Sequence, residues 1–480
     1  DVSHYVREGS PMDLEARRRT TSVYPAERVV PMLPPRLSNG LCSLNPDRDR
    51  LALTLFMDLD AQGRILADEL CESVIRSAER MTYTDVRTLL GGEDAETARD
   101  GVAPCPDRAL AERYRKVLPA LRDMRRLALR LERHRSVRGA LVFDFPETQV
   151  LVDDTGHPIG IRPYPTTFAH GLIESFMIAC NERIALRART GGLPFLYRVH
   201  ELPDPDKLQR FLDTARLLGL SARLPRIPKP GDLAVLLEDL EGLPAGAALS
   251  TLLLRSLAKA RYAPEPLGHF GLAARDYCHF TSPIRRYPDL FIHRVLKATL
   301  HGDPQPERFR GGLAELGETC SRMEREADLA ERDVEDMKKA LYMKDHLGEI
   351  YEGTVTGFVR GGIFVRLDST IEGLLPFSSM DDYIEYDEES LSARARRSGQ
   401  VCRMGDRMAV QAAAADPETR RIEWAPVGEI RVGDGAGSDS RHKGKRILRR
   451  EAKAGRRKGR QARKTAVRRG TRKPRGGIRS

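Results

Sequence analysis

His269-Phe-Gly-Leu-Ala-Ala-Arg275-Asp-Tyr277-Cys-His279-Phe-Thr281-Ser282-Pro283-Ile-Arg285-Arg286-Tyr287-Pro-Asp289 is the stretch on which the reading of this chain turns. Ser282 is a natural helix N-cap, and Pro283 suits the first helical position, where its missing N–H would be unpaired anyway. Such a helix start aims backbone N–H groups and a positive dipole end outward, which makes an anion site. Arg285 and Arg286 fall in that first turn. The dipole disfavours cations there, so two of them point to a bound anion that compensates. Their forked donors match phosphate oxygens two at a time, and Tyr277, Phe280 and Tyr287 lie close enough in sequence to stack bases. A capped helix with solvated arginines is the plainer alternative, and spacing alone weighs the two evenly.

Further along, Asp289 and His293 stand four apart, a separation that also serves metal pairs. No third ligand is visible, so a surface or core hydrogen bond is expected instead; the same holds for His200 with Glu201 and for His269 with His279. Glu174 sits in Leu172-Ile173-Glu174-Ser175-Phe176-Met177, an otherwise apolar helical stretch that predicts burial. A buried carboxylate needs a partner or a job, and Arg183 or an arginine of the 285 region is the simplest partner. Tyr24 occupies a rigid turn before Pro25, where a lone aromatic more often belongs to the core.

The rest of the chain reads as two folded parts. Leu51, Leu53, Leu55 and Met57 alternate as a strand, with a turn at Asp60–Gly63. Leu110, Tyr114, Val117, Leu121, Met124, Ala128 and Leu131 form one helical stripe that Pro119 should kink or divide, after a polar linker over 91–107. A hairpin is predicted over 142–161, and helices near 172–186, 207–218, 249–259, 289–300 and 306–347. These make a large mixed α+β domain over 1–345. From about Glu349, short alternating strands with glycines at the bends predict a small all-β barrel of the OB type over 348–428. The acid runs Asp381-Asp382 and Asp387-Glu388-Glu389 read as solvated charge in a polar loop of that barrel.

Composition narrows the function. The 480 residues are 40% hydrophobic, enough for real cores, and no run approaches the roughly 18 apolar residues of a membrane span. A soluble protein is expected. Seven scattered Cys without a C-x-x-C pair suit a reducing compartment, and the cytoplasm is the expected location. No phosphate-loop or G-x-S-x-G motif points to an ATPase or a serine hydrolase. The formal charge of +11 is concentrated: residues 441–480 carry 19 Lys or Arg against one acid, Glu451. A tail of this composition, running from about 433 to 480, is expected to be disordered and to seek a polyanion. The chain opens mid-pattern at Asp1 without a Met, so it is read as a fragment whose N-terminal part is missing.

Long motifs then match a known family. Asp1-Val-Ser-His-Tyr-Val, Thr21-Ser-Val-Tyr24, Val30-Pro-Met-Leu-Pro34, Leu37-Ser-Asn-Gly-Leu-Cys-Ser-Leu-Asn45, Met81-Thr-Tyr83, His269-Phe-Gly-Leu and Phe280-Thr-Ser-Pro-Ile-Arg-Arg-Tyr-Pro-Asp-Leu290 resemble the RNB catalytic domain of the ribonuclease R and ribonuclease II family. Residues 348–425 resemble the S1-type OB domain that follows in that family.

The resemblance implies a processive exoribonuclease that hydrolyses single-stranded RNA from its 3′ end to nucleoside 5′-monophosphates, with Mg²⁺ assisting. It implies Arg285 at the scissile phosphate and Glu331 as a second catalytic position. It also implies RNA contacts from Tyr24, Glu174, Arg286, Phe358 and Phe364. The family's Mg²⁺-binding aspartates are expected before the segment that begins at Asp1, so no metal ligand is assigned here, and the chain alone is expected to be inactive. A monomer is expected, with the tail reaching structured RNA or the ribosome. Two positions depart from the family pattern: Pro376-Phe377 where a His and an aliphatic residue are usual, and Met337 where a Trp is usual. An RNA-binding protein with a degenerate RNB domain and no catalysis is the alternative.

Overall fold

Caps and prolines set the first boundaries. Ser10 accepts the Asp13 backbone N–H and Pro11 fills the first turn, starting the helix Pro11–Arg19 (α2) after the short helix Val2–Tyr5 (α1). The computed structural model describes residues 1–91, 107–143, 145–220, 223–241, 243, 245–303, 305–388 and 391–427. The linker expected over 91–107 falls almost wholly, and the basic tail wholly, outside the described residues.

The chain divides into two compact units. The smaller comprises, among the described residues, those of 81–138 and Phe168–Ser175. Its helices are Tyr83–Leu89 (α3), Arg108–Arg113 (α4) and Leu118–Arg138 (α5). The expected single stripe is indeed divided, with Pro119 in the first turn of α5, where it costs no hydrogen bond. Leu121, Ala128 and Leu131 are buried, Arg125 lies over the Phe168 ring at 4.1 Å, and the Tyr114 hydroxyl donates to Asp85 at 3.1 Å.

The larger unit holds the rest. Strands Asp49–Leu59 (β1) and Ile65–Arg76 (β2) form an antiparallel hairpin with Leu55 opposite Leu70, and Asp60 closes the turn by accepting the Gln62 and Arg64 N–H groups. The hairpin Thr148–Val152 (β3) and Pro158–Pro163 (β4) is closed in the same way by Asp153. The helix Phe168–Thr190 (α6), of which the part from Phe176 belongs to this unit, follows, and Tyr197–Val199 (β5) pairs with Arg261–Ala263 (β6). Between these strands Pro205–Leu217 (α7), Pro230–Leu240 (α8) and Gly246–Ser256 (α9) bury a leucine cluster. The reading of the sequence contains no helix over α8. Its start at Lys229-Pro230-Gly231 looks like a loop, yet Asp232 accepts the Lys229 N–H and Pro230 fits the first turn.

Two helix starts differ from expectation. The helix after Pro283 begins only at Tyr287 and runs to Leu300 (α10), with Arg286 at the N-cap and Pro288 in the first turn. Ser282 is therefore not a cap, and both arginines precede the helix. The proline of the Tyr-Pro-Asp step wins, because Asp289 is drawn inward and accepts the Ser282 N–H at 2.7 Å. The long charged helix is Leu313–Lys344 (α11), preceded by a separate 3₁₀ turn at Pro306–Arg310. Gly312 between them sits at φ +69°, a left-handed conformation that separates the two.

The C-terminal part is a closed five-stranded barrel, as expected. Ile350–Val359 (β7), Gly362–Leu367 (β8), Glu372–Pro376 (β9), Arg407–Asp416 (β13) and Arg421–Pro426 (β14) follow the order β13-β14-β9-β8-β7. Trp424 is 1% exposed and donates its indole N–H to the Val365 carbonyl at 3.1 Å. The stretch read as a polar loop instead forms a small sheet of Ile384–Asp387 (β10), Ser392–Ala395 (β11) and Val401–Arg403 (β12). Asp382 belongs to its capping, accepting the Ser398 and Arg397 N–H groups, which holds its carboxyl below the usual range. The end of α11 shares the barrel core through Ala340 and Met343, and Arg420 pairs with Asp333 at 2.8 Å. No helix among the described residues is long and apolar enough to cross a membrane.

Candidate nucleic-acid interface

The turn that precedes α10 is built on one buried carboxylate. Asp289, 0% exposed, accepts the Ser282 N–H at 2.7 Å and the Arg286 guanidinium at 2.8 Å. The Ser282 carbonyl in turn accepts the N–H groups of Arg285 at 3.2 Å and Arg286 at 3.1 Å. Burial alone would pull Arg286 down, but Asp289 beside it holds the guanidinium above its usual value. Arg285, next in line, is exposed and has no ion-pair partner among the described residues.

A second segment is laid along this turn. Ser22 donates its N–H to the Arg285 carbonyl at 3.0 Å, Tyr287 donates to the Thr20 carbonyl at 2.8 Å, and Thr21 bridges Arg286 in antiparallel fashion. The strand so held leads to Tyr24, whose N–H donates to the Glu331 carboxylate of α11 at 2.7 Å. Tyr24 is 41% exposed. Residues 24, 285 and 331, far apart in sequence, are thus tied into one constellation by backbone hydrogen bonds.

The floor beneath is polar but closed. Asn181 of α6 accepts the Phe280 N–H at 3.0 Å and donates to the Tyr277 hydroxyl at 3.3 Å. The Tyr262 hydroxyl and His279 Nδ1 share a hydrogen bond at 2.8 Å, and His293 Nε2 meets the Phe280 carbonyl at 2.9 Å. Burial, then the charges of Arg286 and Arg198, keeps His279 neutral. Burial also pushes His269 down to about 3 and His293 to about 4. Tyr277, Phe280 and Tyr287 are 8%, 4% and 3% exposed, so the three aromatics read as base-stacking candidates are core residues. The two tyrosine hydroxyls are engaged internally, that of Tyr277 by Asn181 and that of Tyr287 by donating to Asp13 at 2.9 Å. His293 makes the core hydrogen bond expected of it, and Asp289 a buried pair.

The other candidates are placed differently. Glu174 is not buried: its side chain is 61% exposed and faces Arg135 at 3.6 Å within the smaller unit. Residues 172 and 175 take the buried side of α6 there, which turns 174 outward. Neither expected partner meets it: Arg183 joins Arg187 on Asp68, and of the arginines near 285 Arg286 pairs with Asp289. Phe358 lies in the barrel core beside Tyr386, ring centroids 6.0 Å apart, whereas Phe364 on β8 is half-buried. The sequence does not single out Asn181, the Arg189–Asp276 pair at 2.5 Å or the Asp13–Arg294 pair at 2.7 Å as functional, although Asp276 lies within 269–289. Polar residues inside apolar helical stretches are the signal that could have found them.

The divalent metal implied by the resemblance does not fit these residues by themselves. Among the described residues no group of three or more His, Cys, Asp or Glu side chains is placed to hold a metal ion. Glu331 and Asp289 are already engaged by backbone and guanidinium donors.

The family model of the RNB domain matches residues 1–302. The chain belongs to the RNB family. The S1 RNA binding domain matches residues 344–424, which is the barrel. Tyr24, Arg285 and Arg286 fall in the RNB match and Phe358 and Phe364 in the S1 match; Glu331 lies on α11 between the two.

Relatives of this RNB chain include ribonuclease R 1 of Lactococcus lactis, 42% identical over 431 residues, 88% of this chain and 51% of the relative. Ribonuclease R of Aquifex aeolicus is 41% identical over 427 residues, 88% of this chain and 59% of the relative. The chain thus spans between half and three-fifths of these relatives. Among solved structures, Mycoplasma genitalium RNase R in complex with ribose-methylated single-stranded RNA superposes with a TM-score of 0.78 at 29% identity. That match covers 89% of this chain and 65% of that one.

Proposed function

We propose that this RNB-family chain grips the 3′ end of single-stranded RNA as part of an exoribonuclease that works from 3′ to 5′. The reaction is hydrolysis: water attacks the terminal phosphodiester phosphorus and the bond to the 3′ oxygen of the preceding nucleotide breaks. The products are a nucleoside 5′-monophosphate and an RNA shortened by one residue with a free 3′-hydroxyl. The observation that carries the reading is the pairing of an exposed aromatic with an exposed guanidinium through one hydrogen-bonded backbone ladder, Thr20–Tyr24 against Arg285–Tyr287.

Each residue has a physical task. Phosphodiester hydrolysis develops charge on the phosphoryl oxygens, and the forked donors of Arg285 neutralise it where it appears. The Tyr24 ring stacks on a base near the 3′ end, an interaction open to every base. Glu331 fixes the Tyr24 N–H, so that ring and guanidinium keep their separation when RNA arrives. Phe364, half-buried on β8 of the barrel, offers a further stacking face, while Phe358 is spent in the barrel core beside Tyr386. The single-stranded RNA bound by the Mycoplasma RNase R is consistent with this substrate class. Mg²⁺ is implied by the family resemblance alone. The cations of the tail add a sequence-independent attraction to RNA.

The test uses the 480-residue chain with 5′-labelled single-stranded RNA. Tyr24→Ala and Arg285→Ala are each expected to weaken RNA binding about tenfold, from the ~1–3 kcal/mol of a base stack or a charged hydrogen bond. With Mg²⁺ added, stepwise shortening of the labelled RNA that survives Arg285→Ala would overturn the assignment.

A further inference from the structure

Two neighbouring arginines in one turn invite the idea that both hold phosphate. Their surroundings separate them. Arg285 is exposed, whereas the Arg286 side chain is 17% exposed and its Nη2 is spent on Asp289 Oδ1 at 2.8 Å. Around Arg286 stand Tyr262, 4% exposed, and Tyr277, 8% exposed, with neutral His279 below.

Asp289 is the common anchor. A single oxygen of it receives the Ser282 N–H and the Arg286 guanidinium, the two ends of the turn 282–286, and the Ser282 carbonyl closes the turn from inside. The carboxylate sits in the first turn of α10, where the helix dipole favours negative charge. The same turn then holds Thr20–Ser22 and, through it, the strand leading to Tyr24. A loop guanidinium without such a brace would lose backbone and rotamer freedom on gripping RNA, and that ordering cost would be subtracted from affinity.

We propose that Arg286 and Asp289 are positioning residues: they fix the turn that presents Arg285, and neither touches RNA. Arg285 alone of the twin arginines meets the phosphate backbone. This rests on the RNA-binding reading given above and assigns a role inside it.

The experiment measures affinity of the full chain for a fluorescent single-stranded oligoadenylate, with EDTA present, across a series of salt concentrations. Removing the cation from one bound phosphate lowers the magnitude of the log–log salt slope by about 0.7 for single strands. Arg285→Ala is expected to lower it by about that amount and to weaken binding about tenfold or more. Asp289→Asn is expected to reproduce both changes in the otherwise native chain and to add nothing in the Arg285→Ala background. A smaller fraction of folded protein would by itself reduce the amount bound without moving the slope.

Because Asp289→Asn leaves a buried cation unpaired, it threatens folding. Arg286→Gln and Arg286→Lys therefore accompany it. Arg286→Lys, which keeps a cation beside Asp289, is expected to restore the slope that Arg286→Gln diminishes. If Arg286→Gln lowers the slope by a further step on top of Arg285→Ala, Arg286 touches phosphate and the proposal fails. If Arg285→Ala itself leaves affinity and slope unchanged, it is the RNA-binding reading that fails.

Discussion

Glu331 and Glu174 show how differently two acidic side chains of one chain are used. Glu331 accepts the Tyr24 N–H and so shapes the backbone that carries the exposed ring. Glu174 faces water opposite the largely buried Arg135 at 3.6 Å, a long pair whose acid stays solvated and which therefore contributes little. Glu174→Gln is accordingly expected to change unfolding stability by less than about 0.5 kcal/mol, checked by urea unfolding of both proteins. A decrease of about 2 kcal/mol or more, on the order of a broken buried pair, would contradict its placement. Arg285 and Tyr24 were singled out by the resemblance of the motifs that contain them and not by spacing, and their exposure is compatible with the roles proposed for them. The burial of Tyr277, Phe280 and Tyr287 was not, since aromatic residues beside arginines look alike whether they line a cleft or fill a core.

At the scale of elements, prolines and glycines decided more than apolar period did. Pro288 moved the start of α10 past both arginines, and Gly312 cut the long charged helix at its beginning. Within the barrel, Gly373 lets β9 approach the sole tryptophan: a Cβ there would stand 2.6 Å from Trp424 Nε1 and 2.9 Å from the Ile422 carbonyl. Gly373→Ala should therefore overpack the barrel and destabilise it by about 1–3 kcal/mol. Trp424 fluorescence during denaturation reads this directly, and an unchanged midpoint would show that the strand relaxes without cost. The strands of the barrel were visible as alternation in the sequence. The inserted sheet of β10, β11 and β12 was not, because its acidic and arginine-rich strands carry polar residues on the face turned to solvent.

For the whole molecule, buried imidazoles set an acid limit. His200, His269, His279 and His293 are all held below their ordinary value, first of all by burial, with His269 at about 3 and His293 at about 4. The unfolded chain binds protons at these groups near pH 6.5 while the folded chain does not, so proton uptake favours unfolding. Stability is therefore full above about pH 6.5 and falls as pH drops through the window toward about 4. His200 and His269 add a geometric reason: their Nδ1 atoms accept the Gly271 and Leu272 N–H groups at 3.0 and 3.3 Å, and a protonated ring cannot accept. The urea midpoint is expected to be lower at about pH 5 than at about pH 7.5. A midpoint that rises or holds steady over that interval would refute the linkage.

From the linear chain alone came the class of the fold, the five-stranded barrel, the positions of most helices and the two exposed residues that meet RNA in the proposed function. Those follow from short-range rules, the spacing of apolar residues and the conformational limits of proline and glycine, and from long motifs that resemble an RNB domain. Only the folded chain decided that Arg286 is turned inward on Asp289, that Glu174 is turned outward, and that Glu331 reaches Tyr24 across 307 positions of sequence. Burial and charge pairing depend on what other segments bring to a side chain, and that information is spread over the whole sequence instead of residing beside the residue it governs.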